Sequence, residues 1–302
     1  MKRNRNYKTA GSRRIYHLMM LPGMLFLLVF SYIPMGGILM AFQDYKPSKG
    51  ILGSPFVGLA HFRYMMELPD IGQVIRNTLV IALGKILLGT VMAIAFSILL
   101  NEIRLKYVKS WVQTIVYLPH FLSWVVLASV VVNLFNLDGS VNQLLAAAGI
   151  GKINFLGSNR WFQPLIIGTD VWKEFGYNSV VYLAAITSID PGLHEAAAID
   201  GATWWKRVLH ITLPGMMPII LLMAAMNLTS ILSAGFDQVY NLYTPLVYQT
   251  GDILDTYVYR IGLIGRQYSF ATAVGLFKSV IGMALLCTAN QAAKRFAGRK
   301  IF

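Results

Sequence analysis

The chain has 302 residues, of which 56% are hydrophobic and 13% charged, a balance too apolar for an ordinary soluble domain and typical of multi-span membrane proteins. Its net charge of +13 does not call for a nucleic acid, because the basic residues gather at the two ends and in one short loop, where a membrane surface accounts for them. The single cysteine, Cys287, lies in an apolar run and excludes a disulfide framework.

Residues 1–15 read as a basic tail, with Lys2, Arg3, Arg5, Lys8, Arg13 and Arg14. The apolar run from Tyr16 to Phe42 is far longer than the ~7–15 residues of a signal-peptide core, and no A-x-A site follows it. It reads as a retained first span. A connection rich in turn formers follows, Gln43 to Arg76, with Pro47, Gly50, Gly53, Pro55 and Gly58. Since a spanning helix needs ~20 mostly apolar residues, further spans are predicted at Asn77–Leu100, Trp111–Phe135, Phe162–Ser188, Gly215–Gly235 and Phe270–Ala293. Lys85 and Lys278 interrupt two of these; each either snorkels or pairs with an acid on a neighbouring helix. The connection from Phe236 to Ser269 is polar and aromatic, and residues 294–302 form a second basic tail.

The expected fold is an all-α integral membrane protein, with one membrane domain over residues 16–293. Six spans place both termini on one side. The tails and the loop with Arg104, Lys106 and Lys109 hold the densest positive charge, so that side is the cytoplasm. Arg295, Arg299 and Lys300 are read as contacts to inner-leaflet lipid.

Polar groups inside a span face the bundle interior or a cavity. The fourth segment carries Asp170, Trp172, Lys173, Glu174, Tyr177 and Asn178, and the outer end of the fifth carries Asp237, Gln238, Tyr240, Asn241 and Tyr243. Hydroxyl-directed hydrogen bonds and aromatic faces of this kind suit a sugar path. The alternative is an internal ion pair of Lys173 with a carboxylate, plus aromatics anchoring the interface.

The loop 189–214, between the fourth and fifth spans, has its own architecture. Asp190 caps a helix that starts on Pro191. Leu193 to Ile199 favour helix, Gly201 permits a sharp turn, and Trp204, Val208 and Ile211 recur at helical spacing. Pro214 and Pro218 are expected to stop that second helix. The product is a cytoplasmic helix-turn-helix joined stiffly to a span: either a lever for a soluble partner or a loop resting on headgroups. No G-x-x-x-x-G-K-[ST] motif is present to hold nucleotide, and His194 and His210 lack metal-ligand spacing.

Glu195-Ala196-Ala197, three residues, Gly201, nine residues, Ile211, one residue and Leu213-Pro214 resemble the EAA signature of ABC importer permeases. Asp200-Gly201-Ala202 with the aromatic pair after it resembles the carbohydrate-uptake branch. So do Leu21-Pro22-Gly23, Phe42-Gln43-Asp44-Tyr45, Val57-Gly58-Leu59-Ala60-His61-Phe62 and Asp252 to Arg260, which are similar to oligosaccharide permeases. The resemblance implies a coupling helix docked on an ABC ATPase subunit, with Glu195, Ala196, Ala197, Asp200 and Gly201 at the joint. It implies ATP and magnesium on that partner and no cofactor on this chain. It further implies a second, different permease subunit, an extracytoplasmic solute-binding protein, a carbohydrate substrate and a place in the bacterial inner membrane. The rivals are an ABC permease for a non-sugar solute, an ion-coupled transporter using Asp170, Lys173 and Glu174, and a membrane enzyme, for which no nucleophile–base pair is found.

Overall fold

The computed structural model describes residues 10–229 and 231–297. Of the expected tail residues, Lys2, Arg3, Arg5, Lys8, Arg299 and Lys300 lie outside them. Apart from an isolated bridge between Gln43 and Phe56, every regular element among the described residues is helical. Five helical stretches are long and apolar enough to cross a membrane: Ile15–Phe42, Ile71–Glu102, Trp124–Ala147, Trp204–Thr229 and Tyr268–Thr288. The fourth expected span, Phe162–Ser188, is a 26-residue helix, Phe162–Thr187, that carries Asp170, Lys173 and Glu174 and is not one of these five.

The chain divides into two compact units. The first comprises Met1–Glu67 and Ile261–Leu276. Helix α1, Ala10–Leu27, already covers part of the expected N-terminal tail, and continues through a π turn at Leu28–Tyr32. Its side chains from Ile15 to Leu28 are mostly exposed, so lipid or other helices must cover them. The Gln43–Phe56 bridge and the contact of Phe42 with Phe62, 5.6 Å between ring centres, fold the following turn-rich segment back on itself. Helix α2, Ala60–Glu67, buries Met65.

The second unit comprises Leu68–Arg260 and Phe277–Phe302. Its spine is α3, Ile71–Glu102, against the Phe162–Thr187 helix. Close approach rests on small residues. A Cβ on Gly84 would stand 2.5 Å from Ile167, and one on Gly176 would collide with the Val116 carbonyl. The third expected span, Trp111–Phe135, is broken. α4, Lys106–Tyr117, ends at a 3₁₀ turn over Leu118–Phe121, and α5, Trp124–Phe135, restarts with Ser123 as its cap. Pro119 supplies no N–H to continue the ladder, and the nearby His120 carbonyl accepts from Lys173 instead. After α6, Ser140–Ala147, comes α7, Phe162–Thr187.

Candidate functional site

The loop after α7 folds as the sequence requires. α8, Pro191–Ile199, is capped by Asp190, whose carboxylate accepts from Gly192 N–H at 2.9 Å. Gly201, at φ +76°, turns the chain, with its N–H donating to Ala198 O and that of Ala202 to Ala197 O. Glu195, Ala196, Asp200 and Gly201 are exposed and Ala197 is half-buried, while Leu193 and Ile199 stand out in solvent.

One expectation fails beyond the turn. Pro214 and Pro218 do not end the second helix. α9, Trp204–Arg207, passes through a π turn at Val208–Thr212 into α10, Leu213–Thr229, as one 26-residue helix. The widened turn leaves room for Pro214 and shifts the helical phase. Val208, Thr212 and Met216 therefore become the buried stripe, and Ile211 is only half-buried. Val208 and Met216 pack with Ala93 and Ile98 of α3 and with Tyr182, Ala185 and Ile186 of α7. Any force on α8 thus reaches a span through continuous backbone and a packed core. Beneath α8 lies a hollow of about 470 Å³, lined in part by Asn101, Glu102, His194, Glu195 and Arg207. Arg207 Nε is buried and has no hydrogen-bond partner among the described residues. Sequence reasoning passed over Arg207, because a predicted helix stop gave no reason to follow its face.

The polar residues of α7 do not converge on one surface. Asp170, Glu174 and Asn178, four residues apart, line a cavity of about 150 Å³ together with Thr90, Tyr182 and Asn227. Lys85 of α3 reaches the same place. It pairs with Asp170 at 3.1 Å and donates to Ala234 O at 2.7 Å and to Gln238. Lys173 turns aside, donating to the His120 carbonyl in the broken third span and to Glu174, both at 2.8 Å. Glu174 also meets His120 Nδ1 at 2.7 Å, and the His120 ring lies flat on Tyr177, centres 3.9 Å apart. Trp172 faces elsewhere, onto an apolar cavity of about 430 Å³ with Phe155 and Trp161.

Asp237, Tyr240 and Asn241 sit on a separate helix, α11, Phe236–Leu242, rather than on the end of the fifth span. All three are exposed. Asn241 donates to Asp237 O, and Tyr240 packs between Phe236 and Tyr259. Their neighbour Gln238 is wholly buried, donating to Ile166 O and Thr169 while accepting from Lys85. At this end of the unit, Asn77 donates to the carbonyls of Gln249 and Asp252, and Thr78 accepts from Leu254 N–H. Asp252 is buried, accepts from Thr256 and pairs with Arg260. Burial raises its carboxyl above the usual range, against the opposing pull of Thr256 and Arg260. α12, Leu254–Val258, carries Asp255, which pairs with Lys278 at 2.5 Å. Both intraspan lysines therefore have acid partners.

Residues 85–298 match the family model of the binding-protein-dependent transport system inner membrane component. The chain is 41% identical to the polygalacturonan/rhamnogalacturonan transport system permease protein YteP of Bacillus subtilis (strain 168), over 100% of this chain and 94% of that protein. It is 33% identical to the lactose transport system permease protein LacF of Rhizobium radiobacter, over 62% of each. Among solved structures it superposes on a chain of a bacterial ABC transporter involved in the import of the acidic polysaccharide alginate. The TM-score there is 0.88 and the identity 38%, covering 97% of this chain and 99% of that one.

Proposed function

This chain belongs to the family of binding-protein-dependent transport system inner membrane components, the permease subunits of ABC importers, and from that premise we propose that it carries an oligosaccharide across a bacterial plasma membrane. The substrate class follows from relatives that transport polygalacturonan/rhamnogalacturonan, lactose and alginate. α7 is the fourth of six spans. Its charges are paired inside the bundle with Lys85 and among themselves, which lets an otherwise costly helix cross lipid. The α8 end is then cytoplasmic, together with both basic tails and the loop of Arg104, Lys106 and Lys109.

The observation that carries the mechanism is the continuity of an exposed, capped helix with a span. Glu195, Ala196, Ala197, Asp200 and Gly201 dock on the ATPase partner, which binds ATP and magnesium. Arg207, which lines the hollow beneath α8, offers a positive charge to an acidic group of that partner. Closure of the ATPases pushes α8, and the 26-residue helix Trp204–Thr229 transmits the displacement to the packed core around Met216. A binding protein delivers the sugar from outside, and a second, different permease completes the pore. Of the residues proposed for the path, Asp170, Glu174 and Asn178 line the polar cavity; Lys173 pairs with Glu174 and Tyr177 stacks on His120, Trp172 faces a separate apolar cavity, and Asp237, Tyr240 and Asn241 are exposed on α11.

The test is to purify the complex in mild detergent, identify its subunits, and measure ATP-dependent oligosaccharide uptake after reconstitution. A chain that accumulates solute in sealed vesicles with no ATPase present overturns the assignment.

A further inference from the structure

The first unit holds a second polar cavity, of about 430 Å³, far from the α8 joint in sequence and built from the two connections assigned to the outer face. One wall is the segment after the first span, with Asp44, Tyr45, His61 and Tyr64; the other is Arg266 to Phe270. Ser269 Oγ fastens the walls together by accepting from Tyr45 N–H at 2.9 Å. The size falls within the ~300–1,000 Å³ of small-molecule sites.

Its lining has the chemistry of a sugar site. The rings of Tyr45 and Tyr268 stand edge to face at 82°, centres 6.2 Å apart, which presents two aromatic surfaces at a corner. Tyr64 packs edge to face on Phe270 at 5.6 Å. Such faces take up the C–H surface of a pyranose ring. The Asp44 carboxylate is balanced by Lys46 at 3.4 Å and accepts hydroxyls. The side chain of Arg266 makes no hydrogen bond or ion pair among the described residues, and it is the one uncompensated cation of the lining.

The backbone at Arg266 points the same way. At φ +56° it is the sole non-glycine residue with positive φ among the described residues. An L-residue there costs about 1–2 kcal/mol, and glycine or asparagine would adopt the turn with less strain. A simple loop or a loose headgroup contact gives no reason to hold arginine in that conformation. Strain of this kind collects where a side chain has work to do. An exposed guanidinium in a cavity lined by tyrosines can take a carboxylate bidentately.

We propose that the cavity of Tyr45, His61, Tyr64, Arg266 and Tyr268 binds a uronate unit of an acidic oligosaccharide. This rests on the oligosaccharide reading above and narrows it to a charged class. Arg266 grips the carboxylate, and the tyrosines hold the ring.

The experiment uses the full complex in zwitterionic-lipid vesicles with its binding protein. Uptake of trigalacturonate and of its carboxyl-reduced, neutral counterpart is compared for wild type, Arg266→Gly and Arg266→Lys. Loss of a charge-assisted contact is expected to raise the trigalacturonate KM about tenfold in Arg266→Gly. The maximal rate should stay within about twofold, Arg266→Lys should be intermediate, and the neutral trimer should show no change. Because glycine relieves the turn, the melting temperature of Arg266→Gly should be equal or higher, which separates lost binding from lost folding. An unchanged trigalacturonate KM in Arg266→Gly overturns the site. So does an equal effect on the neutral trimer, or a weaker hold on sugar-free binding protein, which would make this a protein-docking surface. If wild type takes up neither trimer, the oligosaccharide reading itself falls; if it takes up both and ignores the substitution, only the cavity assignment falls.

Discussion

Segments 189–207 and 236–260 both belong to the second unit and both connect long helices, yet they treat their apolar side chains in opposite ways. In the second, Val239, Val247, Ile253, Leu254 and Tyr257 are buried, and Gln238, Asp252 and Thr256 are buried with them. Asn77, Thr78 and Lys85 tie that segment to α3. In the first, Leu193 is 54% exposed, Ile199 87% and Trp205 66%. Its order comes from a cap, a glycine turn and helical continuity instead. A connection that buries its own apolar groups is a structural closure. One that is stiff but leaves them bare suits the docking role proposed above.

The largest effect should come from the bare connection. Glu195→Lys or Gly201→Asp is expected to reduce ATP-driven uptake to background while the chain still inserts, and to release the ATPase during purification. Gly201→Asn sharpens the point. A Cβ there meets nothing within 4 Å, and asparagine tolerates the left-handed turn. Retained assembly in Gly201→Asn beside its loss in Gly201→Asp would separate backbone strain from docking. Normal uptake by both Glu195→Lys and Gly201→Asp would contradict the coupling role.

Next comes the anchor of the buried connection. Lys85→Met leaves Asp170 without its ion pair and Gln238 without its donor inside the bundle, which should cost about 3–5 kcal/mol. The double variant Lys85→Met/Asp170→Leu should recover most of that loss, since removing both charges avoids a stranded one. Thermal denaturation of the complex in detergent reads both. If the single variant melts like wild type, the pair does not hold the segment.

These two regions also differ in how far the sequence disclosed them. Asp190-Pro191 and Gly201 state their own conformations, so the helix and turn of 190–203 are legible from residue chemistry alone. The charges of α7 announced that they needed partners, and Lys85 and His120 met them. The continuity of Trp204–Thr229 was hidden because Pro214 reads as a stop, and only a π turn, which has no sequence signature, admits it. The buried connection was the least legible. Gln238 read as one more polar residue at the end of the fifth span, and Asp252 and Thr256 as part of a polar, aromatic connection; Gln238 and Asp252 are held by partners distant in the chain, Lys85 and Asn77, and Thr256 by Asp252.

A smaller effect is expected at Asp252. Asp252→Ala removes an acceptor from Thr256 and the partner of Arg260, at about 2 kcal/mol. Because burial holds the carboxyl above its usual range, the folded state disfavours its charge, so Asp252→Asn should cost less than alanine. The sign for pH follows. A group whose folded pKa is raised contributes stability that is fully present below the unfolded value of ~3.9 and is lost as pH rises through the folded value. Hydrogen exchange corrected for intrinsic rates should show 248–260 better protected as pH falls toward that range, and Asp252→Asn should flatten the trend. A trend of the opposite sign would mean that Arg260 outweighs burial.

The smallest effect tests whether the bare connection is stiff by its own local chemistry. Asp190 caps α8 through a single hydrogen bond to Gly192, and such caps are worth about 1 kcal/mol. Asp190→Ala should therefore loosen exchange in α8 by roughly fivefold without shifting the melting of the packed core around Met216. In the assembled complex the partner covers α8, so the difference between Asp190→Ala and wild type should shrink. If it persists unchanged after assembly, α8 is not the covered surface, and the contrast between the two connections loses its functional meaning.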